Sequence, residues 1–415
     1  MLKARIRPLL ALMTPVALVL SGALLTPCTV SAQTDVEMVG RMRRANPPPG
    51  FYRVLQRDPA AFRFSRRNGW IRRGEAVAAE RRRRRDLMVD GTARSDARAV
   101  TAVAAAMGVG QAPAVSGTLH MPVFPVLFEN TDSSDIASNV PRAVLQARLY
   151  GTDPAPPYSM HTYYRELSND QMIVSGTVFE WARVPLPDSI YEGNSNGLGF
   201  DSDMPQLLSD IVSVWDATVD FGQFDNDGPD GVPNSGDDDG RVDALVLIHP
   251  KVDGSCGGVN PEGEKSIWAH RYAYSTWTFG DSLVTGDARF GGGSILVDDY
   301  IVQGGQGGDA GCTSDEPLAF GLVAHETGHL FGLPDLYNTS NNGPGIGRWG
   351  LMGMGLQQTF NRPTHMTAWT KAELGWITEV TVATDSIIDV SPVVTSDTSY
   401  IVPIIDTNEY FILEN

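Results

Sequence analysis

From Gly117 onward the chain reads as a mixed fold of helices and short strands, set behind a basic N-terminal segment of different character. Three observations point there. Short aliphatic and β-branched runs are interleaved with stretches of helical periodicity between Gly117 and the C-terminus. Charge divides sharply: residues 1–116 carry 20 Lys and Arg against 8 Asp and Glu, and residues 117–415 carry 12 against 41. One predicted helix, Phe320–Phe331, holds two histidines four residues apart. A chain of 415 residues has room for two or three domains and a sizeable core.

The first 32 residues read as an export signal. Lys3, Arg5 and Arg7 form a charged start, Leu9 to Leu25 is apolar, and Val30-Ser31-Ala32 offers small residues for cleavage after Ala32. Pro15, Ser21 and Gly22 interrupt the apolar run, which falls short of the ~20 residues a membrane span needs. No stable membrane insertion is expected once it is removed. A lipid anchor at Cys28 is disfavoured by Pro27. Residues 33–116 are expected to form a basic propeptide, electrostatically complementary to the acidic body. The run Arg81 to Arg85 reads as a solvated helix face, a linker or a cleavable junction, and the Ala-rich stretch Val100 to Met107 follows it.

Beyond Gly117, Val123–Phe128 is an apolar run that suits a buried strand, and Pro141–Tyr150 suits a helix. Tyr163 to Ser168 ends a helical stretch, Ile173–Phe179 alternates like a strand, and Asp203–Asp216 has helical periodicity. Ala244–Ile248 and Ser294–Val302 read as further strands. Ser314-Asp315-Glu316 suits the N-terminus of the Phe320–Phe331 helix. An acidic body repels phosphates, so nucleic acid is excluded as its partner. Without a GxSxG elbow, a Ser-His-Asp nucleophile has no support.

The stretch His325-Glu326-Thr327-Gly328-His329-Leu330-Phe331-Gly332-Leu333-Pro334-Asp335 has the form HExxHxxGxxD. Histidines four apart share one helix face, so both imidazoles reach a single Zn²⁺ at about 2.0–2.1 Å. Gly332 in the left-handed conformation ends the helix, Pro334 prevents its continuation, and Asp335 returns as a third ligand. Three protein ligands leave one position for water, the catalytic arrangement. Glu326 is then the general base.

A second cluster is Asp225-Asn226-Asp227-Gly228, then Asp237-Asp238-Asp239-Gly240, then Asp243. Alternating carboxylates and glycine turns suit Ca²⁺, with Asp225, Asp227, Asp237, Asp239 and Asp243 as expected ligands; a solvated acidic loop is the alternative. Cys256 and Cys312, both among glycines, form an even pair that invites a disulfide after export, with two free thiols as the alternative. His120 and His161 read as surface or packing residues.

Taken together, these features resemble the M6 peptidases, the immune inhibitor A family of the metzincin group. Tyr163 to Val178, Asp225 to His249, Ile267-Trp268-Ala269-His270-Arg271 and Thr364 to Trp376 are similar to segments of that family. The resemblance covers roughly Gly117 to Asn415. It implies a metzincin-like α+β domain with a twisted, mostly parallel sheet, a backing helix and an active-site helix, preceded by a propeptide. It assigns zinc to His325, His329 and Asp335, where many metzincins carry His in the last place, and the general base to Glu326. Trp349 to Gly355 would supply a methionine turn, with Met352 under the metal and Met354 as its rival. His249, His270 and His365 lie in family segments and are expected to be hydrogen-bonded structural residues. The implied domains are a signal peptide at 1–32, a propeptide at 33–116, a catalytic domain at 117–380 and a β-rich continuation at 381–415. The family pattern extends beyond Asn415, so a piece of a longer protein is expected.

The resemblance thus implies a secreted zinc endopeptidase acting on proteins or peptides. A catalytically silent zinc- and calcium-binding adhesion module is the alternative, and a metallohydrolase of non-peptide substrates is a third. Latency is expected to come from steric cover or from a propeptide carboxylate such as Asp58, Asp86 or Asp90, since residues 33–116 contain no cysteine.

Overall fold

The computed structural model describes residues 2–6, 35–43, 45–92, 114–132, 140–153, 158–256, 265–307, 312–337, 345–357, 362–382, 386–404 and 409–415. At its centre is β1 (Gly117–Leu127), paired in parallel with β2 (Met172–Val178), β3 (Ala182–Arg183) and β4 (Leu245–Val252). On the far side of β4 lies β6 (Asp299–Gly307), also parallel, and β5 (His270–Ala273) and β7 (Thr313–Pro317) pair with β6 antiparallel. The seven-stranded sheet is therefore mixed but mostly parallel. Its central strands are covered on both faces, which is why β4 opens with the aliphatic run Leu245–Ile248 rather than an alternating pattern.

The local expectations hold where periodicity is strong. Helices α4 (Arg142–Tyr150) and α5 (Met160–Leu167) pack on β2, and α6 (Met204–Trp215) starts at an Asp203 cap that accepts from Gln206 N. Three readings differ. The strand expected at Val123 begins at Gly117, running through Pro122 and Pro125 even though each lacks a ladder N–H. The run Ser294–Val302 is two strands, Ser294–Val297 in a ribbon with Leu283–Ala288, and β6. They part at Asp298, whose buried carboxylate turns away to accept from Ser275 N and Oγ. Ser314–Glu316 lies in β7 and not at a helix start. The active-site helix α7 (Gly321–Leu330) begins after Phe320 without a side-chain cap.

Helix α7 is buried along its whole length. Tyr164 of α5 donates to the Ala324 carbonyl at 2.6 Å, and Tyr163 donates to the Thr364 carbonyl at 2.7 Å. Cys256 and Cys312 are joined in a disulfide with Cα atoms 5.6 Å apart, tying the turn after β4 to the start of β7. At the C-terminal end, α8 (Ala368–Glu373) leads into a small sheet of β8 (Thr378–Thr381), β9 (Thr398–Pro403) and β10 (Tyr410–Leu413). Leu2–Ile6 pairs antiparallel with Ser386–Val390. Among the described residues, no helix is long and apolar enough to cross a membrane.

The basic segment is packed into this body. Its helices are α1 (Asp35–Arg43), α2 (Pro49–Arg57) and α3 (Gly69–Thr92). Met38, Phe64 and Trp70 enter the core around α7, and Phe51, Val54 and Phe62 enter a second core with β5 and α6. Helix α3 crosses the end of α7 so closely that a Cβ at Gly74 would lie 1.8 Å from the Phe331 carbonyl oxygen. The arginine run is not simply solvated. Arg83 and Arg84 pair with Glu80 on their own helix, but Arg81 is buried, bidentate on Glu379 at 2.6 and 2.9 Å and bonded to Glu373. The stretch Val100 to Met107 lies outside the described residues.

Candidate metal centre

Helix α7 places His325 and His329 one turn apart with their rings facing the same space. The helix stops as the residue types require: Gly332 has φ +83°, and its N–H and that of Leu333 return to the His329 and Gly328 carbonyls. Asp335 is thereby folded back, its Oδ1 lying 3.1 Å from His329 Nε2 and 3.4 Å from His325 Nε2. The two Nε2 atoms are 3.1 Å apart. Four ligands at about 2.0–2.1 Å around a tetrahedral ion would be about 3.3 Å from one another.

The hydrogen bonds behind these atoms explain why they demand a cation. His325 Nδ1 donates to the Leu351 carbonyl at 2.8 Å, and His329 Nδ1 donates to the Leu333 carbonyl at 2.7 Å. A carbonyl only accepts, so each Nδ1 carries a proton and each ring turns its Nε2 inward. Asp335 Oδ1 is buried with no hydrogen-bond partner. The two Nε2 atoms and Asp335 Oδ1 converge on one point, a set that a divalent cation would satisfy. Although burial opposes it, Asp335 and Asp35 hold His325 well above the usual imidazole range, which reports the same concentration of negative charge.

Glu326 is fully buried beside this cluster. Its Oε2 accepts from Arg271 Nη1 at 2.5 Å, and its Oε1 has no partner. Burial and the neighbouring Asp35 push its carboxyl up, opposed by Arg271. Below α7, Met352 is almost fully buried, and a Cβ at Gly328 would meet its sulfur at 2.5 Å. Met354 is only partly buried at the edge of the same core. The Met352 sulfur thus sits against the helix turn that carries His329, supplying an apolar floor.

A fourth ligand-type group completes the cluster, and it comes from the N-terminal segment. Asp35, at the start of α1, puts Oδ1 3.2 Å from His325 Nε2 and 3.7 Å from His329 Nε2. Tyr337 donates to that oxygen at 2.5 Å, and Oδ2 accepts from Arg271 Nη1. Arg271 and the two histidines hold its carboxyl well below the usual range against the cost of burial. Neither Asp58 nor Asp86 takes this place. Asp58 caps the turn after α2 and accepts from Ala60 N, Asp86 is exposed on α3, and the Asp90 side chain lies outside the described residues. Asp35 is the first acidic residue after the expected cleavage at Ala32, a signal the sequence does carry. Arg271 and Tyr337 sit in or beside recognised segments, but neither spacing nor residue type points to a role.

The family-model comparison matches residues 148–379 to the immune inhibitor A peptidase M6 catalytic domain, more than half of the chain. This chain belongs to the M6 peptidase family, the zinc metallopeptidases of immune inhibitor A type. It is 31% identical over 223 residues to Immune inhibitor A of Bacillus thuringiensis subsp. alesti, a match covering 50% of this chain and 31% of that protein. It is 29% identical over 228 residues to the Pre-pro-metalloprotease PrtV of Vibrio cholerae serotype O1 strains, covering 51% of this chain and 23% of theirs. The matched part thus spans less than a third of these relatives. In this M6 chain the matched segment holds α7, Asp335, Arg271 and the 225–243 loop, while β1 and Asp35 lie before it.

In that loop, Asp225, Asp227 and Asp238 bring carboxylate oxygens within 4.8 Å of one another. Asp237, expected in the set, is instead exposed and engaged by Ser235 Oγ and Asp230 N; one residue of turn sends Asp238 inward. Asp239 points toward Arg72 at 3.6 Å while its N–H donates to Asp227 Oδ1, and the Asp243 carboxylate accepts from Asn226 N. Asp225 is fully buried, and its Oδ1 has no partner. Burial and the neighbouring Asp239, Asp238 and Asp227 push Asp225 up to about 8; burial and Asp227 push Asp239 up to about 7.

The remaining histidines sit in structural settings. His161 Nδ1 bonds to the Val174 carbonyl at 2.9 Å, and His120 bonds to Ser175 and stacks on Phe224. His270 lies between the Trp268 carbonyl and Tyr300 Oη, and His365 Nδ1 bonds to the Met366 carbonyl. His249 is buried in β4, and neither of its ring nitrogens has a hydrogen-bond partner, so the expected hydrogen-bonded setting does not hold for it.

Proposed function

We propose that the protein is an exported zinc endopeptidase whose 33–116 segment keeps it latent and whose 117–380 region hydrolyses peptide bonds of proteins. The observation that carries this reading is the inward-facing set His325 Nε2, His329 Nε2 and Asp335 Oδ1 beside the unpartnered Glu326 Oε1. His325, His329 and Asp335 would hold the zinc, which when bound lowers the pKa of water and polarises a carbonyl. Glu326 takes a proton from the attacking water as the C–O bond forms, and returns it to the nitrogen as the C–N bond breaks. Leu351 and Leu333 keep the ligand rings in the required tautomer. Met352 fills the space beneath them.

The 225–243 loop is read as a structural Ca²⁺ site built on Asp225, Asp227 and Asp238, supported by the buried, unpartnered Asp225 Oδ1. The peptidase reading is tested on the full chain nicked with trypsin until the segment up to Arg98 is removed, the trypsin then being inhibited. Casein hydrolysis that 1,10-phenanthroline stops and zinc restores supports it. Trimmed, zinc-containing protein that cleaves neither casein nor a peptide library overturns it in favour of a silent binding module.

A further inference from the structure

We propose that Asp35 occupies the place of the peptide carbonyl under attack, and that Arg271, which holds Asp35 there, holds the substrate's reacting oxygens once Asp35 is withdrawn. This rests on the peptidase reading above and adds to it a latch and a catalytic residue.

The geometry carries the argument. A carboxylate carbon bears two oxygens, and in Asp35 they are held differently. Oδ1 faces the two histidines and accepts from Tyr337; Oδ2 accepts from Arg271, whose same Nη1 also donates to Glu326. A peptide carbonyl that has gained water also carries two oxygens on one carbon. The oxygen that came from water has just given its proton to Glu326, so it lies on the Glu326 side. In the latent chain that side is occupied by Asp35 Oδ2 and served by Arg271. Asp35 thus resembles the carbonyl after attack in where its oxygens lie and in its negative charge.

The charges of the site are consistent with this placement. Asp35, Asp335 and Glu326 are three carboxylates; Arg271 and a divalent cation supply three positive charges, so the latched site is neutral. Withdrawing Asp35 leaves a buried excess of one positive charge. Water and a peptide bring no net charge, so water addition leaves that excess unchanged; it moves one negative charge from Glu326, which takes the proton, onto the substrate oxygens, and Arg271 lies beside the place where that charge develops. A preorganised donor in a dry site acts most strongly where charge develops. Arg271 is held in place by Glu326, and in the latched chain also by burial and by the ring of Phe64 at 5.7 Å. Phe64 belongs to the N-terminal segment, so its departure opens the approach to Arg271 at the same moment.

The test uses the full zinc-loaded chain and reads binding, not only turnover. Acetohydroxamate should bind Asp35→Ala at least about tenfold more tightly than the parent chain. A short phosphinic peptide, with two oxygens on a tetrahedral phosphorus, should bind Asp35→Ala. It should bind the double variant Asp35→Ala/Arg271→Met about 10²–10³-fold more weakly. Zinc content and melting temperature confirm that the double variant is folded and loaded, and Arg271→Lys replaces it if it is not. Lys keeps the charge but not the fork, and should recover only part of the loss. Unchanged hydroxamate affinity in Asp35→Ala, or equal phosphinic affinity with and without Arg271, overturns the proposal. If trypsin-trimmed protein cleaves casein in that event, the peptidase reading stands and only the latch is lost.

Discussion

Stability should depend on pH and calcium together, through the 225–243 loop. Two carboxylates 4.8 Å apart repel by about 3–4 kcal/mol when both are charged at an effective dielectric of about 20, and Asp225, Asp227 and Asp238 make three such pairs. Arg72, Arg73 and Arg241 offset part of this, and without a cation the remainder is relieved by protonation, as the rise of Asp225 to about 8 and Asp239 to about 7 reflects. Both folded values lie above those of the unfolded chain, so the folded state binds the protons more tightly. Stability is then highest near pH 4 and falls as pH rises through about 7–8, if the loop is left metal-free. Calcium replaces the protons and should remove that slope. At a hundredfold excess over its dissociation constant it adds about 2.7 kcal/mol. At about 2–4 °C per kcal/mol for domains of 150–250 residues, and less for a longer chain, this is a rise of several degrees in melting temperature. The assay is thermal unfolding of the Glu326→Gln chain, which removes self-digestion, with calcium or EGTA at pH 5 and pH 8. Calcium should raise the midpoint more at pH 8. Curves that coincide with and without calcium, or an equal shift at both pH values, would refute the electrostatic reasoning.

Three further substitutions probe the site and its cover. Glu326→Gln should retain zinc by elemental analysis, yet lower the peptidase rate of trimmed protein by about 10²–10⁴, since it removes the base but no ligand. Asp335→Ala should lose tightly held zinc on dialysis, because two histidines alone hold it poorly; one zinc per chain after dialysis would discard the assignment. Arg81→Met leaves Glu373 and Glu379 without their principal buried partner. Arg82 still reaches Glu373 at 3.0 Å, so the loss should sit near the low end of the roughly 3–5 kcal/mol typical of broken buried pairs. Faster trypsin cleavage within α3 than in the parent chain would register it.

The convergence of the proposed zinc ligands was legible because their spacing is local. His325 and His329 are bound to one face by the helical repeat, Gly332 and Pro334 force the turn, and Asp335 follows within three residues. The strands and helices with strong periodicity were legible for the same reason. Local pattern misled where burial decided the outcome: at β1, which packing carries through two prolines, and at Ser314–Glu316, which an edge of the sheet takes as a strand. In the acidic loop the residue types suggested calcium, but only the turn geometry chose Asp238 over Asp237. Asp35 is separated from His325 by 290 residues, and Arg271 from Glu326 by 55. No short-range rule connects them. The docking of α1–α3 into both cores and the close crossing of α3 over Phe331 bring these side chains together. Sequence alone therefore determined that His325, His329 and Asp335 meet at one point; only tertiary packing decided which carboxylate sits among them and which cation holds it, because those contacts depend on surfaces meeting across the whole chain.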